Sequence, residues 1–141
     1  PKVIEKMKEE GHCVANHTFN HLNGWKTSTE EYLENVEKAN KVIGTPLFRP
    51  PYGRIKKSQR KGLKEYQIIQ WSLLSGDFDT SLNKTKALKE LCKGVKPGSI
   101  IVFHDSQKAK IAQHTSAHTP TAQRIGKQTI RTNKQRQKAL C

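Results

Sequence analysis

The sequence predicts an α/β fold built on a parallel sheet or barrel. Short apolar stretches alternate with capped, amphipathic helical ones. Glycines stand where those helices should end. The unusual polar residues (histidine, aspartate, arginine) follow directly after the apolar stretches, where α/β folds build their sites.

The elements follow in chain order. Lys2–Glu10 reads as a helix with Val3, Ile4 and Met7 on one side and Gly11 as its stop. A short extended stretch, Cys13–Ala15, comes next. The clearest helix is Thr29–Ile43, because Ser28 and Glu31 form an S-x-x-E capping box and Leu33, Val36, Val42 and Ile43 recur at near-helical spacing. Gly44 closes it, and Leu47-Phe48 leads into Arg49-Pro50-Pro51-Tyr52-Gly53, a rigid non-helical loop. A short helix is predicted over Ser58–Tyr66, a buried strand over Ile68–Leu74 and a lysine-rich helix over Lys84–Lys93, stopped by Gly94. Pro97-Gly98 is a turn, and Ser99–Phe103 is a second apolar strand ending at His104-Asp105.

A length of 141 residues predicts one domain. The net charge of +14 is uneven: residues 107–141 hold eight Lys/Arg and no acid, leaving 18 basic against 12 acidic residues in 1–106. The tail also has no aromatic and only four large aliphatics, a composition that reads as disordered. A basic tail allows nucleic-acid binding, but without aromatics to stack on bases no specific nucleic-acid partner is predicted. Cys13, Cys92 and Cys141 suggest neither a disulfide framework nor a CxxC metal site. No apolar run is long enough to span a membrane.

Three constellations carry chemistry. His17 and His21, four apart, would face one side of a helical turn and share a metal. Alone, that spacing is a weak signal. A catalytic zinc needs a third protein ligand, and Asp77, Asp79, Asp105 or a residue upstream of Pro1 are the choices left open. The loop Arg49–Gly53 is either a plain turn with a solvated arginine or a device that aims backbone N–H groups at an oxyanion. His104, after a buried strand, suits a general acid or base, with Asp77 available to accept from its ring and fix its tautomer. A second His-x-x-x-His, His114 and His118, sits in the tail far from any carboxylate and reads as incidental.

Taken in order, GHCVANHTFNHLNGW, FRPPYGR, QWSLLSGDFD and PGSIIVFHDS resemble the motifs of the polysaccharide deacetylase family (carbohydrate esterase family 4) over residues 1–106. The resemblance implies a distorted (β/α) barrel and metal-dependent de-N-acetylation of a polysaccharide, peptidoglycan or chitin-like, outside the cytoplasm or in the cell envelope. It implies that His17 and His21 bind a divalent metal, usually zinc. The backbone around Tyr52 would help form the oxyanion hole, and Arg49 would position the base carboxylate. Asp77 would orient His104, and His104 would protonate the leaving amine. Pro51, Val102 and Trp71 would line the substrate site.

Two departures qualify the resemblance. The family opens on a strand ending in a Thr-Phe-Asp-Asp-Gly type motif, which supplies the base and the third metal ligand, and these 141 residues contain no Asp-Asp pair. The expectation is therefore a partial barrel lacking its first strand, with impaired activity. After His104-Asp105-Ser106 the family pattern gives way to the basic tail, so residues 1–106 read as a partial catalytic domain and 107–141 as a disordered or frame-shifted segment. The competing functions are a non-catalytic carbohydrate-binding remnant and a nucleic-acid binder acting through the tail. Oligomeric state is not legible.

Overall fold

The computed structural model describes residues 2–104. The basic tail, its His114–His118 pair and Asp105 lie outside the described residues, as does the boundary expected at 106/107. The chain divides into two compact units, Pro1–Gln70 and Trp71–Cys141.

The first unit begins with helix α1, Lys2–Glu9. Helix α2, Thr29–Ile43, has the predicted bounds, with Ser28 and Gly44 as its caps. Ser28 Oγ accepts the Glu31 N–H at 3.1 Å, and Gly44 takes the left-handed conformation (φ +60°) that lets its N–H reach the Asn40 carbonyl. Strand β1, Leu47–Phe48, and strand β2, Gln67–Ile68, pair in parallel, flanking helix α3, Lys57–Gly62. Asn16 adds a parallel bridge on the other side of Phe48. Tyr32 and Val36 of α2 pack with Phe48 and Leu63 as the buried core, and Tyr66 and Ile68 close against them. The Phe48 ring meets the Tyr32 and Tyr66 rings edge-on, each at 6.2 Å.

Tyr32 is fully buried, yet its hydroxyl has no hydrogen-bond partner among the described residues, and burial pushes its pKa up to about 12. Removing a group whose desolvation is uncompensated costs nothing. Tyr32→Phe is therefore expected to be neutral or stabilising by up to about 1 kcal/mol. Phe48→Ala in the same cluster should cost about 3–5 kcal/mol. Chemical denaturation distinguishes the two.

In the second unit, strand β3, Leu73–Leu74, pairs in parallel with strand β4, Ile101–Val102, on either side of helix α4, Lys84–Gly94. Asn83 caps α4 by accepting the Lys86 N–H at 3.0 Å. The described elements are thus α/β with parallel strand pairs. No helix among the described residues is long and apolar enough to cross a membrane.

Three expectations need correction. The single strand expected over Ile68–Leu74 is two strands, interrupted where the units divide between Gln70 and Trp71. Apolarity alone does not report such a break. The helix expected over Ser58–Tyr66 starts at Lys57 and ends at Gly62, whose α-carbon lies against Leu33: a Cβ there would meet the leucine side chain at 2.5 Å. Cys13 is disulfide-bonded, although its spacing carried no sign of it.

Candidate active site

The pairing register of the first unit places the first group of residues. Asn16 donates its N–H to the Leu47 carbonyl and accepts from the Arg49 N–H, both at 2.8 Å. His17 therefore leaves the bridge beside Arg49. Its Nδ1 lies 2.5 Å from the Arg49 carbonyl oxygen. A carbonyl only accepts, so Nδ1 carries the proton and the lone pair of the neutral ring sits on Nε2. A hydrogen bond of this kind fixes the ring orientation and tautomer, an arrangement that suits metal ligation.

His21 reaches the same place by a route the sequence did not reveal. The expectation was a helical turn; the segment is a loop in which both Thr18 (φ +60°) and His21 (φ +55°) are left-handed. Side chains take over the hydrogen bonding a helix would have provided. Asn16 Oδ1 accepts the Thr18 N–H, and Thr18 Oγ1 accepts the Leu22 N–H. Helix α2 clamps the loop from below: Asn16 Nδ2 donates to the Val36 carbonyl, the Phe19 N–H to the Asn35 carbonyl, and the Asn20 N–H to Asn35 Oδ1. The His17 and His21 rings end 4.9 Å apart at 67°.

Tyr52 stands on the other side of His21, ring centroids 4.8 Å apart. It is the third left-handed non-glycine residue among those described, with φ +57° inside the 3₁₀ turn Pro51–Gly53. Each such residue costs on the order of 1–3 kcal/mol, and strain of this kind concentrates at functional sites. Here all three instances fall in the two motifs that sequence reading singled out. The buried Pro50 and Pro51 fix the turn from one side, while the Tyr52 ring is exposed.

Arg49 is half-buried, and its Nε is fully enclosed without a hydrogen-bond partner among the described residues. Burial makes this guanidinium less basic than usual, though it remains charged. A desolvated cation with an orphan N–H calls for a carboxylate.

The donor set fits a divalent metal in two of its ligands, His17 and His21. No third histidine, cysteine or acid gathers with them among the described residues. Asp79 is occupied locally: it is exposed and accepts from the Ser81 hydroxyl at 2.6 Å, the main cause that holds its carboxyl below its ordinary value.

The second unit builds the second group by the same device. Register aligns Leu74 with Val102, so both strands run out at the same end, and Asp77 and His104 follow within three residues. Asp77 is buried and accepts His104 Nδ1–H at 2.7 Å, the His104 backbone N–H at 2.5 Å and the Ser75 hydroxyl at 2.8 Å. Burial pushes its carboxyl pKa up, but the bonds from His104 and Ser75 together outweigh burial and leave it below the ordinary value of 3.8. Asp77 is thus an acceptor-only carboxylate at neutral pH, which forces the His104 proton onto Nδ1 and turns Nε2 outward. The imidazole is 41% exposed and packs edge-on against Phe78 at 5.1 Å.

Of the remaining sequence-predicted residues, Val102 is half-buried on β4, and Trp71 is half-buried at the start of the second unit. Sequence reasoning missed Ser75, Asn16, Asn35 and Thr18, which position the site rather than form it. The only available signal was their place next to the histidines and Asp77.

A family model described as polysaccharide deacetylase matches residues 1–71. The chain belongs to the polysaccharide deacetylase family. A peptidoglycan-N-acetylglucosamine deacetylase of Bacillus cereus is 30% identical over 114 residues, covering 75% of this chain and 41% of the relative. Chitin deacetylase 2 of Saccharomyces cerevisiae is 29% identical over 127 residues, covering 79% of this chain and 40% of the relative. A crystal structure of a peptidoglycan N-acetylglucosamine deacetylase in complex with a naphthyl N-hydroxybenzamide superposes with a TM-score of 0.65 at 25% identity, over 81% of this chain and 59% of that one. The chain spans less than half the length of these two curated deacetylases.

Proposed function

We propose that this chain carries part of the machinery of a metal-dependent polysaccharide de-N-acetylase, acting on the acetamide of N-acetylated sugars in a peptidoglycan- or chitin-like glycan. The observation that carries this reading is His17, whose Nδ1–H is committed to the Arg49 carbonyl and whose ring lies 4.9 Å from that of His21. The fold that goes with it is the family's distorted (β/α) barrel.

When bound at His17 and His21, a divalent metal, zinc by preference, supplies a Lewis acid for the acetamide carbonyl. The chain's own groups do the rest. The Tyr52 backbone N–H receives the charge that develops on the carbonyl oxygen, because the Gly53 and Arg54 N–H groups already donate to the Pro50 and Pro51 carbonyls. His104, protonated on both nitrogens, gives its Nε2 proton to the departing sugar amine, and Asp77 holds the ring in place. Pro51 in the first unit, and Val102 and Trp71 in the second, are the residues assigned to substrate contact. Arg49 holds the base carboxylate, which the family places in its Asp-Asp motif and which these 141 residues do not contain.

That division of roles makes the test specific. Acetate release from N-acetylglucosamine oligomers, with zinc or cobalt added, is expected to be negligible for the 141-residue chain. It is expected to become metal-dependent when a relative's Asp-Asp strand segment is fused ahead of Lys2, and to vanish again with His17→Ala. No release from the fused chain despite bound metal would leave a non-catalytic glycan binder, the reading that the two-ligand donor set otherwise favours. Release from the 141-residue chain that depends on His17 would mean that one of its own carboxylates serves as base.

A further inference from the structure

Trp25 is 61% exposed, the most exposed aromatic among the described residues. A single exposed aromatic is ordinary; the way this one is held is not. It sits in the 3₁₀ turn Gly24–Lys26, fixed by Asn23, whose Oδ1 accepts the Trp25 N–H. Beneath the turn, the fully buried Gln59 donates Nε2 to the Gly24 carbonyl at 2.9 Å and to that of Thr27 at 3.3 Å, while its Oε1 accepts the Lys56 N–H. Lys56 Nζ adds a bond to the Thr27 carbonyl at 2.7 Å. The backbone is pressed so close that a Cβ on Gly24 would lie 2.3 Å from the Arg54 carbonyl oxygen. A buried amide and a half-buried lysine thus rigidify a turn whose outward residue is an exposed indole. The Arg54 guanidinium lies over that indole, 4.9 Å from its centroid.

The pair is also close in sequence to the candidate metal ligands: Trp25 is four residues past His21. Arg54 is two residues past Tyr52, whose ring stacks edge-on against His21. From Arg54 to Lys64 the chain carries six cations (Arg54, Lys56, Lys57, Arg60, Lys61 and Lys64) before the first acid, Glu65.

We propose that Trp25 and Arg54 form a sugar-binding platform that selects a carboxylate-bearing glycan, of the muramyl type found in peptidoglycan, over a neutral chitin-type chain. The proposal rests on the deacetylase reading and names its substrate class. The free indole face takes the C–H face of a pyranose, an apolar contact at low entropic cost because the turn is already ordered. The Arg54 fork, held over the other face, keeps its outer N–H groups for a carboxylate. The surrounding cations favour an anionic chain further.

The test is calorimetric titration of the full chain with two tetrasaccharides of equal length, one of N-acetylglucosamine alone and one alternating with N-acetylmuramic acid. The wild type should bind the carboxylate-bearing probe about tenfold more tightly, a difference that one charge-assisted contact supplies and that shrinks as salt is raised. Arg54→Gln should bring the ratio to about one, weakening the carboxylate-bearing probe about tenfold more than the neutral one, and Trp25→Ala should weaken both probes by about tenfold. Both side chains are exposed, so folding should be intact by circular dichroism; Trp25→Phe, which keeps a smaller stacking face, should fall between. Equal affinity for the two probes in the wild type, or unaltered binding in Trp25→Ala, would overturn the proposal. If neither probe binds while zinc still binds through His17, the platform is refuted and the deacetylase reading stands; if zinc binding is absent as well, the reading beneath it fails.

Discussion

His17→Ala will lower the chain's affinity for zinc or cobalt by at least about a hundredfold, because a site with two protein ligands cannot lose one and still chelate. The structure shows why the effect should exceed that of removing an ordinary half-buried histidine. The ring is locked to the Arg49 carbonyl through Nδ1, so the ordering entropy and the tautomer are settled before metal arrives. His21 has a ring neighbour on each side, His17 and Tyr52, and its backbone is held in a left-handed conformation. His21→Ala should therefore match the loss. The two variants should differ in stability, since alanine at 21 still has to adopt the positive φ whereas His21→Gly relieves it. Equilibrium titration of the metal against each variant reads the first effect, and chemical denaturation the second.

Asp77→Asn will reduce acetate release by the Asp-Asp-extended chain by about 10²–10⁴-fold. An asparagine can accept the His104 backbone N–H or donate to the ring, and either way the proton is no longer forced onto Nδ1. A loss of folding would also abolish activity, so two further readouts separate the causes. Ring nitrogen resonances of His104 should show the Nδ1–H tautomer in the wild type and a mixture in the variant. The stability difference between the two should also depend on pH in a stated direction. The folded carboxyl sits below its ordinary value of 3.8, so wild-type Asp77 contributes stability above that value and loses it as pH falls through the lower, folded pKa. The gap between wild type and Asp77→Asn should be full at neutral pH and narrow below about pH 4. A gap that widens on acidification would show that Asp77 is not held as a carboxylate.

What could be read from the sequence was what local chemistry dictates. Helix α2 was legible to the residue because Ser28 and Gly44 each act within one turn of where they sit. The Asp77–His104 contact was legible because two strand ends with polar residues leave few other partners. The geometry of the two-histidine loop was not. A spacing of four is what a helix would use, and nothing in HTFNH announces that Thr18 and His21 are left-handed. That conformation is imposed by Asn16, Asn35 and the carbonyl of Val36, the last of them 20 residues along the chain from Asn16. The break between β2 and β3 was hidden for a related reason: Ile68–Leu74 is apolar enough to be one strand, and only tertiary structure places a unit boundary at Gln70. The orphan Nε of Arg49 could not be read either, since burial is not written in the residue itself. The relatives add the family, while the roles of individual residues rest on the geometry around them.

The most direct measurement is a zinc titration of the 141-residue chain followed through the ring nitrogen resonances of His17 and His21. A metal-ligand role predicts that Nε2 of His17 shifts on zinc addition while its Nδ1–H stays bonded to the Arg49 carbonyl, and that a His21 ring nitrogen shifts in step. Zinc that leaves both rings unperturbed, or that binds His17 through Nδ1 and breaks the bond to Arg49, would contradict it.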